Sequence, residues 1–302
     1  MAVISILSKQ SDFTGETPVM NHTKGLWRFN SGIVSDENVI SFLDSSDYLR
    51  PAVLVGTDYA LSTDAVFGNS LELNMAGSTS YLRVANDGSM FNPLYGRFAF
   101  GGCFKLPTVP SGSVPLMSAQ ASNGTSLFRL EVSNGRVSVM LCGATGTTCY
   151  IYSETMQLQP NRWYFIAVTV DTERLTVQVV VGDYTDGSFY TSPLRTFQSP
   201  VNPSSTADLL IGAWDYEHDG NMTCASAVFD DLFIETDSDY TAYLLERQFL
   251  TSRSSDQGNT TCDVWTNPGT VTLTQINGAY PPVGDFITRA VAYDITGSGK
   301  AA

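Results

Sequence analysis

Histidine is almost missing from this 302-residue chain. Only His22 and His218 occur, which leaves no room for a histidine metal cluster and little for a Ser–His–Asp triad. Positive charge is scarce as well: 16 Lys and Arg stand against 30 Asp and Glu, a net charge of −14. Such a surface repels a phosphate backbone, so nucleic acid is excluded as a partner. No apolar run approaches the roughly 18 residues that a bilayer-spanning helix needs, so membrane insertion is not expected. The five cysteines, Cys103, Cys142, Cys149, Cys224 and Cys262, are odd in number and form no CxxC pair, which argues against zinc. The opening MAVISILSKQSD has no basic residues before its short apolar run and no small-residue cleavage site after it. It reads as mature sequence. GSGKAA at the other end lacks the upstream Gly and the Ser/Thr of a P-loop and reads as a tail.

What remains is a chain of turns and strands. Hydrophobic residues make up 43% and the mean hydropathy is −0.02, enough to bury a sizeable core, while only 15% of residues are charged. Strand-like segments, separated by Gly, Asn, Ser and Pro, fall at 25–29, 70–75, 80–84, 97–104, 126–132, 136–141, 149–153, 162–171, 174–181, 208–214 and 226–235. Leu175, Val177, Val179 and Val181 share one face while Thr176 and Gln178 point away, the two-residue period of a half-buried strand. Ser133-Asn134-Gly135 is a hairpin turn. One helix is expected: Asp237 or Ser238 caps its start, and Tyr240, Tyr243, Leu244 and Phe249 come after it at helical spacing. With no βαβ alternation, the fold class is all-β, an antiparallel sandwich or jelly roll. Residues 1–23 and 251–302 fall outside the pattern. The expected organisation is an N-terminal arm at 1–23, a sandwich domain at 24–250 and a C-terminal extension at 251–302.

The chemistry-bearing residues concentrate between Leu209 and Glu235. Asp215, Glu217 and Asp219 alternate through an acidic loop that Gly220 closes, placing oxygen ligands beside a tight turn. DxExDG is also the start of an EF-hand loop, but its twelfth position is Ser226 and no helices flank it, so an EF-hand is rejected. The other reading of the loop is a solvated acidic turn. Trp214 and Tyr216 border it as candidates to stack on a sugar ring, whereas Trp27 and Trp163 read as core residues. Cys142 and Cys149 flank a turn-like GATGTT. Facing each other across a hairpin, they would close a disulfide worth on the order of 2 kcal/mol; the equal alternative is a pair of small buried thiols. Asn21, Asn123, Asn221 and Asn259 sit in N-x-S/T sequons that a Ser/Thr-rich composition produces by chance. Retaining glycosidases need two carboxylates about 5 Å apart. The nearest candidates, Glu235, Asp237 and Asp239, run into the helix start and read as capping residues. Asp230 and Asp231 are expected on opposite sides of their strand, at least one of them as a structural hydrogen-bond acceptor. No catalytic residue is assigned.

The order of several segments resembles one family. GLWRFN at 25–30 is similar to the opening strand of the laminin-G-like, concanavalin A-like jelly rolls, including their pentraxin branch. FGNSLELNMAGSTSYLRV at 67–84, RFAFGGCFKLP at 97–107 and NRWYFIAVTVD, then RLTVQVVVGD, at 161–183 resemble the family's next strands. LLIGAW, VFDDLFIE and the helix after them resemble the close of the domain. The resemblance covers roughly residues 24–250. It implies a domain that binds glycans, protein partners or both, often through calcium on the rim of the sandwich. In the pentraxin pattern Asp215, Glu217 and Asp219 fall where calcium carboxylates lie, with Asn123 on the opposing loop. Calcium takes about six to eight oxygens, so backbone carbonyls and waters would complete the set. The chain departs from the family at Ala76, where many members carry Asp before the Gly.

These features lead to an expectation of a non-enzymatic virion structural protein, for example a bacteriophage capsid decoration or tail component. Its arms would contact other virion or self subunits, and its sandwich would hold glycans weakly, with calcium as the possible cofactor. The alternatives are a secreted or surface calcium-dependent carbohydrate-binding module and, further off, a glycoside hydrolase.

Overall fold

The computed structural model describes residues 23–30, 33–36, 39–91, 96–120, 126–142, 148–153, 156–197, 207–215, 222–236, 242, 245–246 and 248–250, with backbone alone at 33–36, 126 and 148–152. Val19–Glu246 forms one compact unit that contains every described strand; Met1–Pro18 and Arg247–Ala302 make up a second.

Among the described residues twenty strands form two nine-stranded antiparallel sheets and one small hairpin. The first sheet runs β15 (Phe189–Thr191), β14 (Thr176–Asp183), β13 (Trp163–Asp171), β8 (Arg97–Lys105), β20 (Ala227–Thr236), β6 (Ser70–Leu73) and β5 (Tyr59–Ser62). To it are added β1 (Thr23–Trp27), paired with β20, and β16 (Arg195–Thr196), paired with β14. The second sheet runs β12 (Thr148–Tyr152), β11 (Arg136–Cys142), β10 (Ser126–Ser133), β9 (Ser113–Gln120), β17 (Asp208–Ile211), β7 (Tyr81–Val84), β4 (Ala52–Val55), β3 (Val39–Phe42) and β2 (Ile33–Asp36). Strands β18 (Ala213–Asp215) and β19 (Met222–Cys224) pair only with each other.

Alternation builds the core between the sheets. Phe100, Phe104, Ile166, Val168, Leu232 and Ile234 from the first sheet join Leu82, Leu116, Phe128, Leu130, Val137 and Leu209 from the second. Phe100 and Phe128 stack with ring centroids 3.9 Å apart. The face read from 174–181 is present: Val177, Val179 and Val181 lie in the core and Leu175 packs against it. The strand itself starts only at Thr176, because Asp171 accepts the Glu173 and Arg174 amides at 3.1 and 2.9 Å and turns the chain. Asn134 and Gly135 have φ of 51° and 75°, the backbone of a type I′ hairpin.

Three features depart from the sequence pattern. The strands β2 to β5, β9, β15, β16 and β19 were not expected: all but β9 are two to four residues long, too short to establish a period, and β9 carries Pro115. The proline lies where the β9–β10 register shifts, at a bulge that tolerates its missing N–H. Second, the first sheet is buried on both faces. Leu26, Ala99, Phe165, Ala167, Val180 and Phe233 are all buried outside the inter-sheet core, which is why the strand sequences read as continuous apolar runs. Third, β20 bulges against β8 between Asp230 and Phe233, and Asp231 has φ of 47°. Strict alternation does not run through these two aspartates, so the bulge and not the strand period sets their directions.

Helical residues occur at 242, 245–246 and 248–250, where Leu245 and Phe249 are buried. Tyr240, Tyr243 and Leu244 lie outside the described residues.

Candidate functional site

The hairpin that carries the acidic loop leaves the second sheet at Gly212, whose φ is 75°. Gly212 N donates to Leu116 O, and Ala225 N donates to Gly212 O, both at 2.8 Å, closing a neck. Beyond the neck the hairpin is fastened to the outward side of β9. Ser118 Oγ donates to Ala213 O at 2.8 Å, Gln120 Nε2 donates to Asp215 O at 3.0 Å, and Asp215 N returns a bond to Gln120 Oε1 at 3.3 Å. The Arg129 guanidinium lies 5.0 Å from the centroid of the Trp214 ring, and Arg129 pairs with Glu131 at 2.7 Å. Register places Arg129 opposite Ser118 and Met140, and Glu131 opposite Ser138. A polar floor is therefore buried on the outward side of the sheet. Its sequence signal was the alternation of Arg129 and Glu131 with Leu130 and Val132, which passes for an ordinary half-exposed strand.

This geometry changes the part assigned to Trp214. A sugar platform needs an open ring face, but Trp214 is 3% exposed and sits under a guanidinium. It anchors the hairpin. Of the expected calcium ligands only Asp215 is described, and it is 8% exposed. Asn123, Glu217, Asp219 and the second sugar candidate, Tyr216, lie outside the described residues. Among the described residues no group of three or more His, Cys, Asp and Glu side chains is placed to hold a metal ion. On β19, burial pushes the Cys224 thiol up to about 11, so it is protonated at neutral pH and a poor nucleophile. The β11–β12 ladder sets Cys142 against Thr148 and Cys149 against Leu141, so the two cysteines are not directly opposite each other.

The carboxylates of β20 are interior groups. Glu235 does not cap a helix. It lies in the strand, opposite Thr23 on β1 and Ala99 on β8, with no exposed surface. Thr23 Oγ1 donates to Glu235 Oε1 at 2.6 Å, Oε2 has no hydrogen-bond partner among the described residues, and burial raises the carboxyl to about 8. Asp230 Oδ2 accepts the Val66 and Phe67 amides at 3.0 and 2.8 Å, as a structural aspartate does. Burial, reinforced by Asp231 beside it, holds Asp230 well above the usual carboxylate range. Neither group is open to a substrate. Trp27 is a core residue as expected, with Nε1 donating to Arg50 O at 3.0 Å. Trp163 is only half-buried, and its Nε1 donates to Asp64 Oδ1 at 2.9 Å.

The surface feature that sequence reading missed is the loop from Leu43 to Arg50, between β3 and β4. Asp44, 4% exposed, accepts from Leu26 N, Ser46 N, Ser46 Oγ and Arg50 N at 2.8–2.9 Å. Arg50, 6% exposed, donates Nη1 to Lys24 O at 2.6 Å and Nη2 to Asp87 at 2.9 Å. Lys24 Nζ donates to the Tyr48 hydroxyl. The Lys24 and Arg50 cations lie 4.2 and 4.4 Å from the Tyr48 ring centroid. This frame holds out apolar side chains: Leu43 is 46% exposed, Tyr48 39% and Leu49 74%. Leu49 has φ of 52°, left-handed backbone that costs a leucine about 1 kcal/mol or more. LDSSDYLR has no periodicity to mark it; the only signal was an Asp and an Arg bracketing an apolar pair.

No protein-family model and no curated protein matches the sequence. Solved structures match in fold. A botulinum neurotoxin serotype D/C VPI 5993 binding domain has a TM-score of 0.54 at 11% identity, over 77% of this chain and 52% of that one. The botulinum neurotoxin serotype G binding domain has a TM-score of 0.53 at 12% identity, over 83% of this chain and 53% of that one. The binding domain of botulinum neurotoxin DC, solved in complex with rat synaptotagmin II, has a TM-score of 0.53 at 11% identity, over 77% and 52%. The chain spans about half the length of these structures. At such identity the likeness is one of fold: an all-β antiparallel sandwich.

Proposed function

We propose that this chain is a non-enzymatic recognition module that engages a protein partner through the loop from Leu43 to Arg50. The observation that carries the reading is the combination at Leu49, a leucine that is 74% exposed, in left-handed backbone, at the tip of a loop braced by buried charges. Hydrophobic burial would move this side chain inward and relaxation would move the backbone out of the left-handed region. The Asp44 and Arg50 network prevents both, so the tip is organised before a partner arrives and little ordering cost remains. An aliphatic tip beside a Tyr ring already occupied by two cations suits an apolar pocket on a protein better than a sugar, which stacks on an open aromatic face. The fold neighbours support a binding role, since they are named as binding domains and one was solved in complex with rat synaptotagmin II.

The finer placement, on a virion as a capsid decoration or tail component, rests on the arms at 1–23 and 251–302 that lie outside the sandwich pattern. Partner capture with the wild-type chain and with Leu49→Asp, using particles or host-surface extracts as the source, tests the reading. Binding lost in Leu49→Asp without a fall in melting temperature supports it, and equal capture by both proteins overturns it. Calcium-dependent glycan binding through the loop at 215–219 is the second reading. It is favoured by the firm anchoring of Asp215 at the mouth of that loop, through two backbone bonds to Gln120. EDTA-sensitive binding on a glycan array distinguishes it from the first.

A further inference from the structure

Strand β1 connects the loop from Leu43 to Arg50 with the interior of the first sheet. On its loop side, Leu26 N donates to Asp44, Ser45 N donates to Leu26 O at 2.7 Å, Arg50 donates to Lys24 O, and Lys24 Nζ holds the Tyr48 hydroxyl. On its other side β1 pairs with β20, with Thr23 opposite Glu235 and Trp27 opposite Leu232. Among the described residues the bond from Thr23 Oγ1 is the only hydrogen bond to the Glu235 carboxyl, and the fully buried Oε2 receives none. A neutral acid tolerates that position; a carboxylate there has one oxygen with no donor among the described residues, away from water.

We propose that the proton on Glu235 is a latch for the recognition loop. While the carboxyl is neutral, β1 stays docked on β20 and the Tyr48–Leu49 tip is braced; ionisation undocks β1 and loosens the tip. The latch rests on the reading of the loop from Leu43 to Arg50 as the recognition surface.

The described surroundings offer no second compensation for the charge. From β1 the one cation is Lys24. It favours ionisation but is outweighed by burial, and its ammonium is directed to Tyr48. From β8 the register partners of Ile234, Glu235 and Thr236 are Phe100, Ala99 and Phe98, and Arg97 beyond them is paired with Asp171 at 3.0 Å. Strand β6 reaches only Ala227 to Phe229, so its Glu72 stands opposite Val228. On β20 itself the other acids are Asp230 and Asp231, the latter 3.6 Å from Arg28.

Linkage sets the sign. The native carboxyl titrates at about 8 against 4.5 for the free group, so its stabilisation is complete below 4.5 and is lost as pH rises to about 8. Amide hydrogen exchange of the intact chain reads this directly, once corrected for intrinsic rates. The opening constant of Lys24 to Trp27 is expected to rise about tenfold per pH unit over that window, with the Arg50 amide moving in parallel. In Glu235→Gln the same amides are expected to lose this slope. A flat wild-type profile, or an equal slope in Glu235→Gln, overturns the latch. If Glu235→Gln does not fold, the wild-type chain labelled with carboxyl-13C glutamate decides: one resonance titrating near 8 supports the proposal, and all glutamates titrating near 4.5 overturn it. The two readings fail separately. Partner capture unaffected by Leu49→Asp removes the recognition surface while the exchange slope persists; a lost slope with Leu49-dependent capture removes only the latch.

Discussion

Arg129 and Glu131 lie two residues apart on one face of β10, 2.7 Å from each other and 8% and 3% exposed, with the Trp214 ring against the guanidinium. Removing one member takes the opposite charge away from the other, which stays buried, and breaking a buried pair in this way costs about 3–5 kcal/mol. Glu131→Ala is therefore expected to lower the urea midpoint sharply, and Arg129→Met to do the same while also loosening Trp214. The double variant Arg129→Met/Glu131→Leu is expected to recover most of that loss, because a buried pair barely outweighs an apolar replacement. Equilibrium unfolding of the three proteins checks this. Single losses that simply add in the double variant would show that the two side chains do not act as a pair.

That pair also shows how far the sequence was legible. Period-two alternation identified the inter-sheet core at Val177, Val179 and Val181, and the Asn-Gly pair identified the hairpin turn at Asn134 and Gly135, because these depend on neighbours in the chain. It could not show that the outward face at Arg129 is covered, since the hairpin that covers it comes from Ala213–Cys224. The same limit applied to Trp214, which reads as an exposed aromatic beside an acidic loop until its exposure is known. Glu235 looked like a capping residue because a helix pattern begins just after it, whereas its surroundings are set by Thr23, 212 residues away. The bracing of Leu49 depends on Leu26, Lys24 and Asp87, none of them local to the loop.

The strain at Leu49 has a measurable counterpart. Asparagine accepts left-handed backbone more readily than leucine, so Leu49→Asn is expected to raise stability by about 0.5–1 kcal/mol in chemical denaturation. Binding to the partner is expected to fall in the same variant. A stabilised protein that binds as well as wild type would mean that the exposed leucine is not part of the contact.

Acid is expected to weaken the Arg50 brace. The Ser89 hydroxyl bonded to Asp87, with the Ser89 amide and Arg50 adding to it, holds the Asp87 carboxyl down at about 2 against an ordinary 3.8. A depressed group stabilises above its unfolded value, so this contribution is present above 3.8 and is lost as pH falls to about 2. The Asp87 side chain is 62% exposed, and solvent screening keeps the effect small. Thermal melts of wild type and Asp87→Asn between these limits are expected to converge as pH falls and to stay apart by a constant amount above about 4, apart from other carboxylates that titrate equally in both.

Gly101 marks a close backbone approach in the first sheet. A Cβ built there would lie 2.2 Å from Ile166 O and 2.6 Å from Ala167 Cα, both backbone atoms of the neighbouring β13. No rotamer change relieves a clash with backbone, so Gly101→Ala must separate β8 from β13 along a ladder that runs from Trp163 to Asp171. The strain is expected to reach or exceed about 3 kcal/mol, the upper end for overpacked cores, and to leave the variant insoluble or unfolded. Gly112→Ala is the matched control, since nothing lies within 4 Å of a Cβ at that position. Comparable soluble yield and urea midpoints for the two variants would show that β8 and β13 do not approach this closely.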